Sequence, residues 1–462
     1  MAPLPGRRPG WTQLALFFCC FSLLQGQSQE ATLRELLEQN RLLRDQARAQ
    51  QTQINELKQR IEQLAVSQSE HDEKWATIQA ASKEVPIPAD TPDRRVIISG
   101  QGAFSYTDAQ SRGELSKAGF RVDDARVYIE SQIRRNTYLF GELILTQRQT
   151  KDDAFHLGEF YLDLENLFGD SVADRLVNLR VGRLGIPFGL EYLHRYPIHN
   201  PLITHSVSDF WGIDEGVEAY GESGRVSYVL AVQNGGVSQL RDFNRDKSVT
   251  VRISWKPLRE LQLSLSGFRT GRLDRAQDNT SEMWIGNAFF RAIGKATSTN
   301  TYQAELGQFD ASWTWASGSL SGAAGRGSYD DDDSTADNGR SFKFYQTQLV
   351  QDIWSKLYSA IRYSSLSSNR GYYLQGLGNY KDYFRGETLT RRISRFALGL
   401  GYRFSPDLIF KVEHTWEDAR KENGDKRPDE NQVAAEVAVR FEPPSATCPQ
   451  SASRCTPSSL PS

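Results

Sequence analysis

The chain has 462 residues, with 55 Lys and Arg against 57 Asp and Glu, a formal net charge of −2 and a mean hydropathy of −0.54. That balance excludes the basic excess of a nucleic-acid binder, and that hydropathy excludes a bundle of membrane helices. Four cysteines, two in an N-terminal apolar run and two near the C-terminus, are too few and too separated for a structural zinc site or a disulfide framework.

Residues 1–28 read as a secretory signal peptide. Arg7 and Arg8 give the positive region, Leu14 to Leu24 is an apolar run of 11 residues, and small residues precede Gln29. Such a run is too short to span a bilayer as a helix, although a buried anchor is the alternative. Cleavage leaves Cys448 and Cys455 as the remaining thiols, which can join in an oxidising compartment or sit unpaired in a Ser/Pro-rich tail.

Residues 29–84 carry a heptad pattern. From Leu33 to Ile78, ten of fourteen positions spaced 3,4,3,4 are apolar, and neither Gly nor Pro interrupts them. A 3.5-residue repeat keeps one seam facing its partners, so the segment is expected to be an α-helical coiled coil, with a single amphipathic helix as the alternative. Ile54 and Ile61 at a positions with Leu57 and Leu64 at d lean towards two strands. Pro86, Pro88 and Pro92 then end any helix, making 85–95 a linker.

From 96 to 441 the period becomes 2. Val249, Val251, Ile253 and Trp255 alternate with Thr250, Arg252 and Ser254, and similar alternation recurs along the segment. Sixteen strands are expected, with connections alternating between short, such as Ser317-Gly318, and long, such as Leu184 to Ile213. The apolar patch Met283 to Phe290 is placed within a long loop because counting it breaks the alternation. An even number of ~10-residue strands with short turns on one side and long loops on the other describes an all-β, sixteen-stranded antiparallel transmembrane β-barrel preceded by a coiled coil. Residues 442–462 are expected to be a disordered tail.

The segment Val181-Gly182-Arg183-Leu184-Gly185-Ile186-Pro187-Phe188-Gly189-Leu190-Glu191, followed by Asp209-Phe210-Trp211-Gly212-Ile213-Asp214-Glu215-Gly216-Val217, resembles the strand-to-loop motif of the phosphate-selective porin O and P family of outer-membrane porins. The resemblance covers about residues 96–441. It implies a homotrimer in the outer membrane of a Gram-negative-type bacterium, conducting small solutes or anions without catalysis or cofactor. Both barrel termini, and hence the coiled coil, would lie on the periplasmic side. The departure is the tail beyond Phe441, since such porins usually end on the terminal aromatic.

Taking the polar parity of each strand as inward, the pore-lining cations are Arg126, Arg134, Arg180, Arg225, Arg252, Lys256, Arg362, Arg395, Arg403, Lys411 and Arg440, against Glu130, Glu142, Glu159, Asp163, Glu218, Glu413 and Glu436. Basic rings replace part of an entering anion's hydration, so a mild anion (phosphate-like) preference is expected. Cross-strand pairing of these charges is the alternative. The long connection from Leu184 to Ile213 is expected to fold into the lumen, with His194, Arg195, His199 and His205 at the constriction. Histidine near its ordinary pKa of ~6.5 would add positive charge on acidification. Asp330 to Asp333 lack the ligand spacing of a calcium loop. A carbohydrate-selective porin is the nearest rival and a barrel-anchored adhesin a further one, although no consecutive inward aromatic series stands out in the sequence.

Overall fold

In the computed structural model the described residues are 51, 96–109, 118–147, 155–168, 176–235, 245–274, 284–285, 300–332, 339–372, 390–427 and 431–441. Residues 1–90 and 91–462 form separate units. The signal peptide, the linker, the C-terminal tail and, apart from helical Gln51, the coiled coil lie outside the described residues.

Among the described residues the second unit forms an antiparallel sheet of sixteen strands. They are β1 (Val96–Ala109), β2 (Gly119–Arg134), β3 (Thr137–Gln147), β4 (His156–Leu164), β5 (Asn178–Gly185), β6 (Ile213–Ser223), β7 (Val226–Gln233) and β8 (Ser248–Trp255), followed by β9 (Leu261–Arg269), β10 (Thr301–Trp315), β11 (Gly318–Asp331), β12 (Arg340–Asp352), β13 (Leu357–Tyr372), β14 (Thr390–Ser405), β15 (Leu408–Lys421) and β16 (Gln432–Phe441). Each pairs with its sequence neighbours, and the two-residue piece Leu273–Asp274 merely continues the β9 edge against β10. The sheet closes on itself: β1 pairs with β16 from Gly100↔Phe441 to Ala109↔Gln432. Closure removes both sheet edges and satisfies the ladder all round. Among the described residues, Trp284–Ile285 pairs with Phe210–Trp211 in a separate two-stranded sheet.

Side-chain burial runs opposite to that of a water-soluble sandwich. On β8, Ser248, Thr250, Arg252 and Ser254 are buried while Val249, Val251, Ile253 and Trp255 are exposed. β14 repeats the pattern, with Arg395 and Ala397 inside and Phe396, Leu398, Leu400 and Tyr402 outside. An apolar outer face around a polar interior is the arrangement that a bilayer stabilises and water does not. Aromatic pairs mark the short-turn rim, including Trp313 with Trp315 at 6.2 Å and Tyr402 with Phe404 at 4.9 Å between ring centroids.

Connections alternate as expected. Two-residue turns Arg135-Asn136, Gly224-Arg225, Ala316-Ser317 and Pro406-Asp407 lie at one end. Asn136 and Gly224 take positive φ (58° and 59°), matching the backbone twist of a tight hairpin. At the other end the connections include 186–212 and 270–300. Strands β11, β13 and β15 run 2 to 7 residues further towards the long connections than alternation suggests, ending at Asp331, Tyr372 and Lys421 rather than near 329, 365 and 417.

Candidate functional site

The connection 186–212, the third on the long side, folds back into the barrel. Ile186 N–H donates to Gly212 O at 2.8 Å, pinching the base of the loop. The chain then turns at Gly189, whose φ is +81°. The Gly189 N–H reaches Ser266 on β9 at 3.2 Å, and a Cβ at this position would stand 3.0 Å from the Gln308 side chain of β10. A short 3-10 turn, Glu191–His194, follows. Glu191 accepts the Ser206 N–H at 2.9 Å and the Ser206 hydroxyl, tying the two limbs of the loop together. Arg195 pairs with Asp209 and lies over the Trp211 ring at 4.4 Å.

The far side of the loop is clamped to β12–β15. Glu413 accepts the N–H groups of Ile203 and Thr204 and the Thr204 hydroxyl. Arg362 donates to Thr204 O and to Asn200 Oδ1 (2.8 Å), with Gln348 holding its Nε side at 2.8 Å. Arg395 donates to His205 O at 3.0 Å while paired with Glu417 at 2.9 Å. Lys411 reaches Pro197 O (2.8 Å), Leu202 O (3.1 Å) and Asn200 O (3.3 Å), and pairs with Glu436. Tyr358 and Ser364 add bonds to Pro201 O and from the Val207 N–H. Phe188 and Phe210 pack with Phe342, Phe344, Tyr302 and Leu306 as a buried apolar cluster on the long-connection side.

This placement revises the reading of the inward cations. Arg362, Arg395 and Lys411 are buried beneath the loop and spend their donors on its carbonyls. Arg126 lies between Asp124 (3.0 Å) and Glu142 (2.7 Å), and Arg180 between Asp163 (3.1 Å) and Glu218 (3.0 Å). Arg252 forms a two-bond pair with Asp310, at 2.8 and 2.9 Å. Arg403 with Asp352 and Arg440 with Asp407 sit at the short-turn mouth, at 2.9 and 2.7 Å. Arg134 and Arg225 are exposed at the short-turn end, Arg225 within the turn itself and bonded to Pro257 O, so neither belongs to the inner wall. Lys256 follows the end of β8, its N–H on Arg225 O.

Carboxylates exceed cations inside the barrel. Among the described residues twelve Asp and Glu are buried against five Arg and Lys, and Arg180 and Arg195 are half-buried. A cavity of about 50 Å³ between the loop and β2–β5 is lined by Arg126, Glu142, Glu159, Tyr192, Arg195, Tyr196 and Trp211.

Of the loop histidines, His194 keeps some exposed surface, and His199 and His205 are half-buried. Desolvation, with the Arg252 and Arg362 cations, holds His194 below the usual imidazole value. Desolvation, with the Arg440 and His194 charges, pushes His199 down to about 4. His199 therefore stays neutral over the mildly acidic range, contrary to the expectation from an unperturbed imidazole, and His194 is shifted in the same direction.

A feature invisible to the sequence reading is an inward aromatic series across adjacent strands. Tyr128 on β2 stacks on Phe140 of β3 at 6.0 Å, and Phe140 on Tyr161 of β4 at 5.1 Å. The Arg180 guanidinium of β5 lies 5.2 Å from the Tyr161 ring and 4.3 Å from that of Tyr220 on β6. These residues sit at unrelated offsets within their strands, so only the observed register brings them together. Among the described residues, no group of three or more His, Cys, Asp or Glu is placed to hold a metal ion.

No family model matches the chain, and no curated protein does. The local resemblance to the phosphate-selective porins therefore gains no support from those comparisons. Among solved structures, the chain is similar to the anion-selective porin from Comamonas acidovorans (10% identity, 76% of this chain and 100% of that one, TM-score 0.49) and to the outer-membrane channel DcaP of Acinetobacter baumannii (10%, 77% and 100%, 0.48). It is likewise similar to OprB of Pseudomonas putida (10%, 75% and 94%, 0.46). Likeness at these scores carries no inference about solute or assembly.

Proposed function

We propose that the protein is an outer-membrane porin, a water-filled channel for passive diffusion of small hydrophilic solutes. The observation that carries this reading is the closed, outwardly apolar barrel whose third long connection is clamped inside the lumen, narrowing a polar passage. The loop bearing His194, Arg195, His199 and His205 is the constriction of this proposal, opposite the walls that carry Arg126, Arg180 and Arg252. An export signal, a periplasmic coiled coil and a homotrimer complete it.

The mild anion preference expected from counting inward cations loses its basis once those cations are paired. With buried carboxylates in excess, the reading favoured here is weak preference for cations or neutral solutes, because a low-dielectric constriction magnifies net fixed charge. Planar-bilayer recordings test both parts. Ohmic, stepwise conductance with a reversal potential on the cation side of zero in a KCl gradient is the expected outcome. No conductance from folded protein removes the channel reading, and an anion-side reversal potential restores the anion preference.

A further inference from the structure

The outer face of the barrel carries a charge pattern that solute passage does not use. Arg326 on β11 pairs in register with Lys343 on β12, Lys343 with Ser367 on β13, Ser367 with Arg392 on β14, and Arg392 with Arg420 on β15. All five side chains are exposed. Strand parity turns them outward, with Ala324 on β11, Tyr345 on β12, Phe396 on β14 and Trp416 on β15. At a strand spacing of ~4.8 Å the row is about 19 Å wide, so four cations stand side by side on one stretch of wall.

Their height is equally specific. Each lies nine to fourteen residues from the nearest short turn, counted from Ser317 to Arg326, Lys343 to Ile353, Arg392 to Pro406 and Asp407 to Arg420. Tilted strands rise ~2.5 Å per residue, placing the row roughly 23 to 35 Å above the short turns, at and beyond the far edge of an apolar band ~25 Å tall. Four residues below it runs a second row, Thr347–Tyr363–Phe396–Trp416, in register across β12–β15. Aromatic side chains at that depth belong to the bilayer interface.

Among the described residues of β1–β4 and β7–β8 no such row of cations recurs. At the corresponding ends of β1–β4 and β7–β8 the outward residues are Asp108, Phe120, Leu145, Leu157, Val232 and Val249. On the cationic side the nearest exposed acids among the described residues are Asp418 and Asp330, with Asp332, Glu422 and Asp425 just past the strand ends, while Glu305 is held by Arg269 at 3.2 Å. The row itself carries four cations and no acid.

We propose that this row docks the phosphorylated head groups of the lipid in the long-connection leaflet, specifically an acylated, bisphosphorylated glycolipid. Its phosphates would accept from Arg326, Lys343, Arg392 and Arg420, guanidinium groups offering two parallel donors to one phosphate, while its acyl chains lie along Tyr345, Phe396, Leu398 and Trp416. This rests on the membrane placement of the proposed channel and adds to it a lipid partner on a fixed sector of the wall.

The test uses the full chain folded in zwitterionic micelles and titrated with a bisphosphorylated, hexa-acylated disaccharide glycolipid, bound lipid being counted by native mass spectrometry. The fourfold variant Arg326→Gln, Lys343→Gln, Arg392→Gln, Arg420→Gln is expected to bind at least about tenfold more weakly than wild type. Enzymatically dephosphorylated glycolipid should bind wild type as poorly, and inorganic phosphate at the same concentration should not displace the lipid. Equal binding by the fourfold variant, or equal binding of dephosphorylated lipid, overturns the proposal, as does displacement by inorganic phosphate, which would mark a free-anion site. If the fourfold variant does not fold, judged by its heat-modifiable migration, the double variant Arg392→Gln, Arg420→Gln takes its place with a weakening of at least about threefold expected and equal binding again overturning. Single-channel conductance of the same preparations keeps the two readings apart: wild type that binds lipid but never conducts refutes the channel while the lipid row stands.

Discussion

Glu413 on β15 accepts the Thr204 backbone N–H at 3.0 Å and the Thr204 hydroxyl as well, joining two residues 209 positions apart in sequence. One carboxylate thereby fixes the tip of the infolded loop. Bonds to a charged acceptor contribute about 1.5–3 kcal/mol each, so this group is a principal anchor of the loop. Glu413→Ala is expected to leave the barrel folded and to free the tip, raising single-channel conductance and open-channel noise. Planar-bilayer traces indistinguishable from wild type would show that the loop is held without it.

The inward turn depends on Gly189. At φ +81° any side chain is strained by about 1–3 kcal/mol, and here the Gln308 side chain also stands 3.0 Å from the added Cβ. Gly189→Val should therefore shift the loop and change conductance while lowering stability by about that amount, read from denaturant unfolding in micelles. Gly224 is the control. Its φ of +59° is also positive, but a Cβ there meets nothing within 4 Å. Gly224→Ala is expected to cost about 1 kcal/mol and to leave the current untouched.

The sixteen strands and the infolded third connection were legible because period-2 alternation and turn residues are local signals. Alternation fails where both faces are small or polar, and the run Ser364-Ser365-Leu366-Ser367-Ser368 hides the outer end of β13 for that reason. Parity also identified Arg362, Arg395 and Lys411 as inward-facing. It could not show that their partners are the carbonyls of Thr204, His205 and Leu202, since a backbone acceptor leaves no trace in a sequence. Nor could it balance the charges: Asp124, Asp209, Asp310 and Glu417 pair with cations that a strand-by-strand count treats as free.

Arg252 and Asp310 form a buried pair with a second role. Arg252 also donates to Ser266 Oγ at 2.9 Å, and that oxygen accepts the Gly189 N–H, linking the wall pair to the start of the loop. Arg252→Met leaves Asp310 buried without its cation, a loss of about 3–5 kcal/mol in comparable buried pairs. The double variant Arg252→Met, Asp310→Leu should recover most of that loss in unfolding titrations while retaining the altered conductance of the single variant. If the double variant instead matched the single in stability, the pair would not be the source of the cost.

Acid reaches the infolded loop through His199. His199 is half-buried in the loop, and desolvation together with the Arg440 and His194 charges lowers its pKa from 6.5 to about 4. His194 is lowered for the same first reason, with Arg252 and Arg362 adding to it. A lowered imidazole pKa means that the neutral form is the one the folded loop favours. The His199 ring thus stays uncharged while pH falls from 7.5 to 5 and gains its proton only as pH passes through about 4. The stability that follows has the same sign: neutral His199 costs nothing above its unfolded pKa of ~6.5, and as pH falls below that value the unfolded chain binds the proton first, so folding weakens progressively until about pH 4. Reversal potentials of His199→Gln should accordingly match those of wild type between pH 7.5 and 5. Below about pH 4.5 wild type should move towards anions relative to His199→Gln. In unfolding titrations the variant should lose less stability than wild type between pH 6.5 and 4. A wild-type transition centred near pH 6.5 and abolished in His199→Gln would instead place the ring in open water.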